Sequence, residues 1–255
     1  MKNLPISGIN LDIIWKNPAQ NRAEISAKLA NIDADIIVLP EMFTTGFCMD
    51  AAEIAEDTTQ TLIWMEEMAK KHQKVICGSV STKENGQFYN RFYWVEPSGN
   101  HHFYDKKHLF SFSGEDQIYT AGKDRVIVTY QNCRILLQIC FDLRFPVFAR
   151  NRQDYDLILY VANWPESRID AWNTLLKARA IENQCYVFGV NRIGTDGNQL
   201  HYPASSYCFF ADGSQISTEK DHVISADIDL EKLQNFREKF PFLKNADDFT
   251  LQKTD

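Results

Sequence analysis

The apolar run at residues 156–162 (Asp-Leu-Ile-Leu-Tyr-Val-Ala) constrains the fold of this chain more than any other segment. A strand with one face in water alternates apolar and polar residues, whereas this run is apolar at nearly every position. We therefore predict a strand that is buried on both faces, as in a sheet covered by helices. The run 133–140 is also largely apolar, and only Asn132 separates it from the run 125–131, which predicts a tight hairpin.

Runs typical of strands alternate with segments of helical periodicity along the chain. Further strands are predicted at 6–13, 35–40, 74–81, 88–96, 100–105, 186–192, 205–211 and 222–228, and helices at 18–32, 58–73, 144–153, 167–184 and 230–238. This alternation predicts the α/β class, with mixed sheets covered by helices. No repeat or flexible linker interrupts the pattern, so we expect one domain over 1–255. Its last part, 239–255, is predicted to be a tail whose aromatic residues pack on another surface, such as a second subunit.

Charge and composition exclude several classes of function. The net charge of −7 argues against broad nucleic-acid binding, and no apolar stretch approaches the ~20 residues needed to span a bilayer. The first residues lack the long apolar region of a signal peptide, which makes a cytoplasmic location the expectation. The six cysteines are scattered without a close pair, so a disulfide framework, a thiol-based metal site and a redox module are all disfavoured.

Glu41, Lys106 and Cys140 each stand at the end of a predicted strand. In open α/β sheets, functional groups collect outside the carboxyl ends of the strands, which favours grouping these three. A glutamate that is partly buried is suited to act as a general base, and a lysine there supplies a fixed charge for an oxyanion. A solvated loop glutamate and a solvated lysine pair are the alternatives. His108 is interpreted as a capping or packing residue outside the site.

Cys140 begins a predicted strand-to-helix junction. Backbone N–H groups at such a junction point at the sulfur, and we expect them to favour the thiolate. A thiolate with a base and an oxyanion donor nearby is a nucleophile. The alternative for any single cysteine in this chain is a buried, inert side chain.

The ordered motifs around these residues resemble those of the nitrilase (carbon–nitrogen hydrolase) superfamily. The matching segments are Pro40-Glu41, Tyr104-Asp105-Lys106-Lys107-His108-Leu109-Phe110, Ile139-Cys140-Phe141-Asp142-Leu143-Arg144-Phe145-Pro146, Asn163-Trp164-Pro165-Glu166-Ser167-Arg168, Arg179-Ala180-Ile181-Glu182-Asn183-Gln184 and the run 189–198. The resemblance covers roughly residues 5 to 230. Within the superfamily, the set is most similar to bacterial omega-amidases of the YafV type.

The resemblance implies a four-layer αββα sandwich with a Glu-Lys-Cys triad. Glu41 takes the position of the general base, Lys106 that of the catalytic lysine and Cys140 that of the nucleophile. A second glutamate is expected seven residues before the glycine that ends the next loop. Gly122 is that glycine, which assigns the second glutamate to Glu115.

The same resemblance assigns a second oxyanion donor to the backbone N–H of Phe141. It also implies no metal or organic cofactor, a small-molecule amide as substrate and a homodimer. Because an omega-amidase acts on short dicarboxylate monoamides such as 2-oxoglutaramate, a cation must bind the far carboxylate, and Arg168 is the candidate. Phe43 and Trp164 are predicted to wall a short pocket, with the core as the alternative for both.

Arg144 is interpreted as structural, pairing with an acid such as Asp142 or Glu182.

Alternative functions stay open at this point. One keeps the triad but acts on an N-carbamoyl amino acid, a deaminated glutathione or a nitrile. Another is a non-catalytic binding protein that retains the fold, although no member of the triad is missing.

Overall fold

A computed structural model of the protein describes residues 3–57 and 60–251. Its helices are α1 (Pro18–Leu29), α2 (Ala51–Ile54), α3 (Gln60–His72), α4 (Glu115–Ile118), α5 (Pro146–Ala149), α6 (Ile169–Asn183) and α7 (Leu230–Lys239), with 3-10 turns at Ser111–Ser113, Cys140–Arg144, Glu166–Arg168 and Phe242–Asn245. Its strands are β1 (Leu4–Ile9), β2 (Ile36–Val38), β3 (Glu56–Asp57), β4 (Val75–Glu84), β5 (Gln87–Val95), β6 (His101–Asp105), β7 (Ile127–Tyr130), β8 (Cys133–Ile139), β9 (Leu157–Ala162), β10 (Tyr186–Asn191), β11 (Gly194–Thr195), β12 (His201–Tyr202), β13 (Tyr207–Phe209), β14 (Thr218–Lys220) and β15 (Val223–Ile228).

Two mixed sheets form the centre of the fold. Within the described ranges, eight strands make one sheet in the order β14-β15-β1-β2-β4-β5-β6, with β3 paired to β4. Five strands make the other, in the order β13-β10-β9-β8-β7. β1, β2 and β4 are mutually parallel, as are β8, β9 and β10, so the carboxyl ends of each group lie together.

Alternation along the strands explains how the layers pack. In β8, Ile135, Leu137 and Ile139 belong to the core cluster between the two sheets, whereas Leu136 belongs to the cluster under α6. The other sheet is covered on its outer face by α1 and α3, through apolar side chains such as Ile25. The run 156–162 is buried on both faces because α6 covers one side of β9 and the opposing sheet the other. This arrangement of helix, sheet, sheet and helix confirms the predicted fold class.

The hairpin between β7 and β8 is confirmed. Gln131 and Asn132 lie between paired strands with φ of 46° and 66°, as a two-residue turn of type I′ requires. The helix predicted at 144–153 is wrong in extent, because α5 is a single turn. The chain is extended after it, at Arg150, and the Asn151 amide donates to the carbonyls of Tyr155 (3.1 Å) and Asn183 (2.9 Å).

Two predicted segments reach beyond the described residues, the helix at 58–73 by positions 58–59 and the tail by 252–255. The described part of the tail contacts its own chain at two points. Gln184 donates to the Phe240 carbonyl over 2.7 Å, and the Arg152 guanidinium lies 4.9 Å from the ring centre of Phe249. In the parts of the chain that the structure covers, no helix combines the length and apolar character needed to cross a bilayer.

Candidate active site

Glu41 follows β2 and is fully buried, although a carboxylate is costly to remove from water. Its charge is met by donors on three other segments. Lys106 Nζ and Asn90 Nδ2 each donate to Oε1 over 2.9 Å, and the backbone N–H of Asn163 donates to Oε2 over 2.8 Å. The Asn163 side chain also donates to the Glu41 carbonyl, over 2.6 Å. The carboxylate is therefore held in one orientation.

Lys106 lies directly after β6 and is fully buried, whereas its neighbour Lys107 is only half-buried. The Lys106 ammonium lies 2.9 Å from Glu41 Oε1 and 2.9 Å from Glu115 Oε2. Burial lowers the pKa of Lys106, but the two carboxylates, Glu115 and then Glu41, outweigh this and raise the pKa above its ordinary value. Lys106 is therefore a fixed cation at any physiological pH.

Glu115 begins α4 and is fully buried, as the third member of this cluster. Its Oε2 accepts from the backbone N–H of Phe110 over 2.6 Å as well as from Lys106. Burial raises the pKa of Glu115, and the negative Glu41 adds to that rise while Lys106 opposes it. The loop after α4 returns to the lysine through Gly122, whose N–H donates to the Lys106 carbonyl over 2.9 Å.

Gly122 has a steric reason to be glycine. A Cβ at this position would lie 2.0 Å from the backbone oxygen of Asp105, closer than real atoms approach. The missing side chain lets the loop pack against the end of β6.

Asn90, in β5, is a member of the site that sequence reasoning missed. It is fully buried and donates to Glu41 Oε1 (2.9 Å) and to Glu115 Oε1 (3.1 Å), while its own oxygen accepts from Ser79 (2.8 Å). Asn163 was missed as well. Both had a signal in the sequence, since Asn90 interrupts an aromatic strand and Asn163 directly follows a buried one.

Cys140 occupies the tip of a sharp turn between β8 and the 3-10 helix Cys140–Arg144. Its φ of 45° is in the left-handed region, which a residue with a side chain adopts only when its surroundings impose it. The thiol shares the cavity with Glu41 and Lys106, whose charges act on it in opposite directions. The turn therefore carries the sulfur to the Glu41–Lys106 pair.

The expectation that this turn favours the thiolate is wrong. Burial raises the pKa of the Cys140 thiol well above its usual value, and the negative charge of Glu41 raises it further, whereas Lys106 lowers it. The turn is a short 3-10 helix, which offers few aligned dipoles to oppose these effects. The thiol is therefore harder to deprotonate than an exposed cysteine.

Phe141 is the second residue of the same 3-10 helix. Backbone N–H groups in a first helical turn have no partner within the helix, so this one can bind an external oxygen. The Phe141 ring packs edge-on against Phe110 at 5.0 Å between ring centres, and both residues line the cavity described next.

A cavity of about 330 Å³ opens beside the cluster. It is lined by Trp15, Glu41, Phe47, Cys48, Met49, Asp50, Lys106, Phe110, Ser113, Cys140, Phe141, Arg144, Asn163, Trp164, Pro165, Arg168, Asp196, Asn198, Leu200 and Tyr202. This volume is at the small end of the range for ligand pockets. Aromatic walls and a few convergent polar groups suit a small polar molecule.

The cations and anions of the cavity differ in how they are paired. Asp50 pairs with Lys16 over 2.6 Å, and Asp196 accepts from Tyr202 OH over 2.8 Å. Arg144 and Arg168 have no acidic partner within the described residues, and each guanidinium instead lies over an aromatic ring.

The ring beneath Arg144 is Trp164, with 5.2 Å from guanidinium carbon to ring centre, and the one beneath Arg168 is Phe110, at 5.1 Å. The interpretation of Arg144 as paired with an acid is wrong, because Asp142 and Glu182 bind other partners and Arg144 is exposed at the cavity.

Phe43 and Trp164 have different places. Trp164 lines the cavity, and its indole N–H donates to the Arg168 carbonyl over 2.7 Å. Phe43 is fully buried in the core under α1 and α3, with its ring centre 6.0 Å from that of Trp64. The prediction that Phe43 walls the pocket is wrong, because the chain after Glu41 turns this ring away from the cavity and into the core.

The arrangement supplies a thiol, a neighbouring carboxylate, a buried ammonium and an adjacent backbone N–H. These are the parts needed for nucleophilic attack on a carbonyl and for stabilisation of the resulting oxyanion. Within residues 3–57 and 60–251, no group of three or more His, Cys, Asp or Glu side chains is arranged to hold a metal ion.

Comparison with known proteins agrees with this chemistry. The carbon–nitrogen hydrolase family model matches residues 14–238. The chain belongs to the carbon–nitrogen hydrolase family. It is accordingly a hydrolase that acts on carbon–nitrogen bonds of amides.

Two curated members of the family span nearly the whole chain. Omega-amidase YafV of Escherichia coli (strain K12) is 44% identical over 255 residues, which are 98% of this chain and 100% of the relative. The 2-oxoglutaramate amidase of Bacillus subtilis (strain 168) is 31% identical over 246 residues, 92% of this chain and 95% of the relative.

A solved structure has the same fold. XC1258 from Xanthomonas campestris, a CN-hydrolase superfamily protein with an arsenic adduct in the active site, superposes with a TM-score of 0.94 at 41% identity. The match covers 99% of this chain and all of XC1258.

Proposed function

We propose that this protein is an omega-amidase that hydrolyses 2-oxoglutaramate and similar dicarboxylate monoamides to the dicarboxylate and ammonia. The observation that carries this is one cavity that joins the Cys140 thiol and the Lys106 ammonium to two arginines without acidic partners. The names of the two curated relatives, an omega-amidase and a 2-oxoglutaramate amidase, support the same choice.

In the first half of the reaction, Glu41 takes the thiol proton while the Cys140 sulfur forms a bond to the amide carbonyl carbon. Since burial and Glu41 hold the proton on the sulfur at rest, transfer to Glu41 accompanies the attack. The oxyanion accepts hydrogen bonds from Lys106 and the Phe141 N–H. The carbon–nitrogen bond then breaks, Glu41 returns the proton to the leaving nitrogen, and ammonia departs from a thioester.

In the second half, water attacks the thioester carbonyl and Glu41 accepts a proton from it. The same two donors stabilise the second oxyanion. The carbon–sulfur bond breaks, the proton returns to Cys140, and the acid leaves. Glu115 accepts from Lys106 with both carboxylate oxygens and keeps the ammonium oriented throughout.

Substrate choice rests on the far carboxylate. Arg168 and Arg144 present guanidinium groups at the cavity, and a guanidinium binds a carboxylate with paired N–H donors. Trp164 and Phe110 hold the two arginine heads by cation–π contact, which limits their freedom before substrate binds. An amide with a carboxylate at its other end therefore fits better than a neutral amide.

The test is ammonia release by the purified protein from 2-oxoglutaramate and from glutamine, which differ only at the second carbon. A strong preference for the keto acid is expected, because the ammonium of glutamine must approach two arginines. Equal rates would refute a pocket tuned to the 2-oxo acid. Faster turnover of an N-carbamoyl amino acid, deaminated glutathione or a nitrile would replace the proposal with one of those activities.

We further propose that the chain is a single domain over 1–255 that forms a homodimer in the cytoplasm. The dimer rests on the family resemblance, and light scattering should give twice the 29.5 kDa of one chain. The location is supported by the six cysteines, all of which are described and unpaired, as is usual in a reducing compartment. Fractionation of cells that produce the protein checks the second point.

A further inference from the structure

The carboxylate of Asp142 is fully buried two residues after Cys140. It accepts from the backbone N–H of Ile139 (2.9 Å), from Tyr104 OH (2.8 Å), and from both the backbone N–H (3.0 Å) and ring Nδ1 (2.8 Å) of His108. Since a carboxylate only accepts, Nδ1 of His108 carries the hydrogen in this contact. Four donors on two separate segments thus converge on one side chain.

These segments carry the lysine and the cysteine of the proposed reaction. Tyr104 and His108 stand two residues before and two residues after Lys106, at the end of β6 in the eight-stranded sheet. Tyr104 OH also accepts from the Lys107 N–H over 3.0 Å. Asp142 belongs to the turn after β8, in the other sheet. The carboxylate therefore connects the lysine segment (residues 104–108) to the nucleophile turn (residues 139–143) across the two sheets.

The nucleophile turn has an unfavourable backbone conformation that neighbouring contacts must stabilise. The φ of 45° at Cys140 costs free energy and persists only where neighbouring contacts over-determine it. The Asp142 bond to the Ile139 N–H holds the start of the turn, and Arg179 donates to the Leu143 carbonyl over 2.6 Å near its end.

The imidazole of His108 is fixed on its other side. Its ring lies parallel to that of Phe145, with 3.9 Å between centres and 8° between planes. The Phe148 ring meets it edge-on at 5.2 Å. The imidazole is therefore held between the Asp142 carboxylate and Phe145, which follows the nucleophile turn.

We propose that Asp142 and His108 are positioning residues that set the distance between the Lys106 ammonium and the Cys140 sulfur. Neither lines the cavity, so neither touches substrate, and the inference rests on the proposed function of Lys106 and Cys140. Loss of the pair lets the lysine segment and the nucleophile turn shift relative to each other. A misplacement near 1 Å costs about 100-fold in rate.

The first test is Asp142→Asn, which replaces one accepting oxygen by an NH2 group. The NH2 group is itself a donor and therefore cannot accept from the donors around it. We expect kcat to fall about 100-fold with KM unchanged. The matched control is Asp156→Asn, a buried carboxylate at the far end of β9 that accepts from Arg134 and Arg237. It should lose stability but keep kcat per folded molecule. An equal loss of kcat in both variants would reduce Asp142 to a structural residue.

The second test separates the two contacts of His108 and covers the case in which Asp142→Asn does not fold. His108→Asn keeps an N–H donor near the place of Nδ1, and His108→Phe keeps the ring that stacks on Phe145. We expect kcat near that of the wild type for the first and a marked loss for the second. Wild-type kcat in both variants would overturn the proposal.

Alkylation of Cys140 by iodoacetamide gives a readout that needs no amide substrate. A displaced Lys106 lowers the thiol pKa less, so His108→Phe should react more slowly than the wild type at pH 8, and His108→Asn should not. If the wild-type protein released ammonia from no amide, the proposed function would fail while this comparison still decided the positioning role. Equal alkylation in all three proteins would count against positioning.

Discussion

The Lys106 ammonium lies 2.9 Å from Glu41 Oε1 and 2.9 Å from Glu115 Oε2, and all three side chains are fully buried. One cation thus serves two buried carboxyl groups. Such an arrangement costs desolvation free energy for each ion and is retained only when every charge has partners. The amide of Asn90, which donates to both carboxylates, offsets part of that cost.

Lys106→Met should therefore impair both catalysis and folding stability. Loss of one oxyanion donor typically costs about 3 kcal/mol of transition-state stabilisation, so kcat should fall at least about 100-fold. Two buried carboxylates left without a cation should lower the free energy of unfolding by about 3–5 kcal/mol. Ammonia release and urea denaturation measure the two effects.

The control for Lys106→Met is Lys107→Met, a change of the same chemistry one residue away. The Lys107 side chain is half-buried and does not line the cavity. Its kcat and stability should stay close to those of the wild type. A similar loss in both variants would contradict the assignment of the reacting ammonium to Lys106.

The charges around Cys140 predict opposite effects on its alkylation. Burial and Glu41 raise the pKa of the thiol, so the iodoacetamide reaction of the wild type should still accelerate beyond pH ~8.5, the ordinary thiol value. Glu41→Gln removes a charge that raises the pKa and should speed alkylation at pH 8. Lys106→Met removes a charge that lowers the pKa and should slow it. Both variants should lose amide hydrolysis.

Mass spectrometry identifies the modified residue, which separates Cys140 from Cys48, a second cysteine in the cavity lining. Slower alkylation of Glu41→Gln would show that Glu41 removes the proton in this reaction as well and that its charge is not the dominant effect. A plateau in the wild-type rate below pH 8 would contradict the raised pKa of Cys140.

Cys140→Ser should lose amide hydrolysis by more than about 10³-fold, as is usual when a nucleophile is removed. Burial and the neighbouring carboxylate already hold the proton on sulfur, and a hydroxyl releases its proton far less readily. Ammonia release and the mass of the protein after exposure to substrate check this. An acyl adduct on wild-type Cys140 that is missing from the variant supports the thioester, and normal turnover of the variant excludes it.

Phe43→Leu and Trp164→Leu should behave differently, because one side chain is in the core and the other in the cavity wall. Phe43→Leu should lower the free energy of unfolding by roughly 1–3 kcal/mol and leave KM unchanged. Trp164→Leu removes the ring beneath Arg144 and should raise KM for 2-oxoglutaramate. A higher KM in Phe43→Leu would restore the original prediction of a pocket wall.

Apolar patterning predicted the two-sheet architecture because alternation and continuous burial leave a direct mark on residues such as those of β8 and β9. The same patterning overextended the helix after Cys140. Its end depends on bonds from the Asn151 side chain to the carbonyls of Tyr155, in the loop before β9, and of Asn183, the last residue of α6. The bond to Asn183 spans 32 residues and has no local signature.

The functional site likewise contains features that a local sequence pattern predicts and features that it does not. Glu41 and Cys140 were found because each follows a buried strand, and the rule also fits Asn163, which was overlooked. The direction of the Phe43 ring depends on the chain path after Glu41, where Met42 has a φ of 43° that its residue type does not predict. The raised pKa of Cys140 depends on burial and on a carboxylate about a hundred residues away, so a strand-to-helix junction alone predicted the wrong direction.

Arg144→Met and Arg168→Met should each raise KM for 2-oxoglutaramate and change kcat little, because the far carboxylate is bound alike in the ground state and the transition state. A charge-assisted hydrogen bond contributes about 1.5–3 kcal/mol, which corresponds to a KM roughly 10- to 150-fold higher. A neutral amide of similar length, such as butyramide, lacks the carboxylate and should show nearly equal kcat/KM with the wild type and both variants. Steady-state kinetics with the two substrates measures the difference. If either variant lost activity equally on both, its arginine would support the cavity without binding the carboxylate.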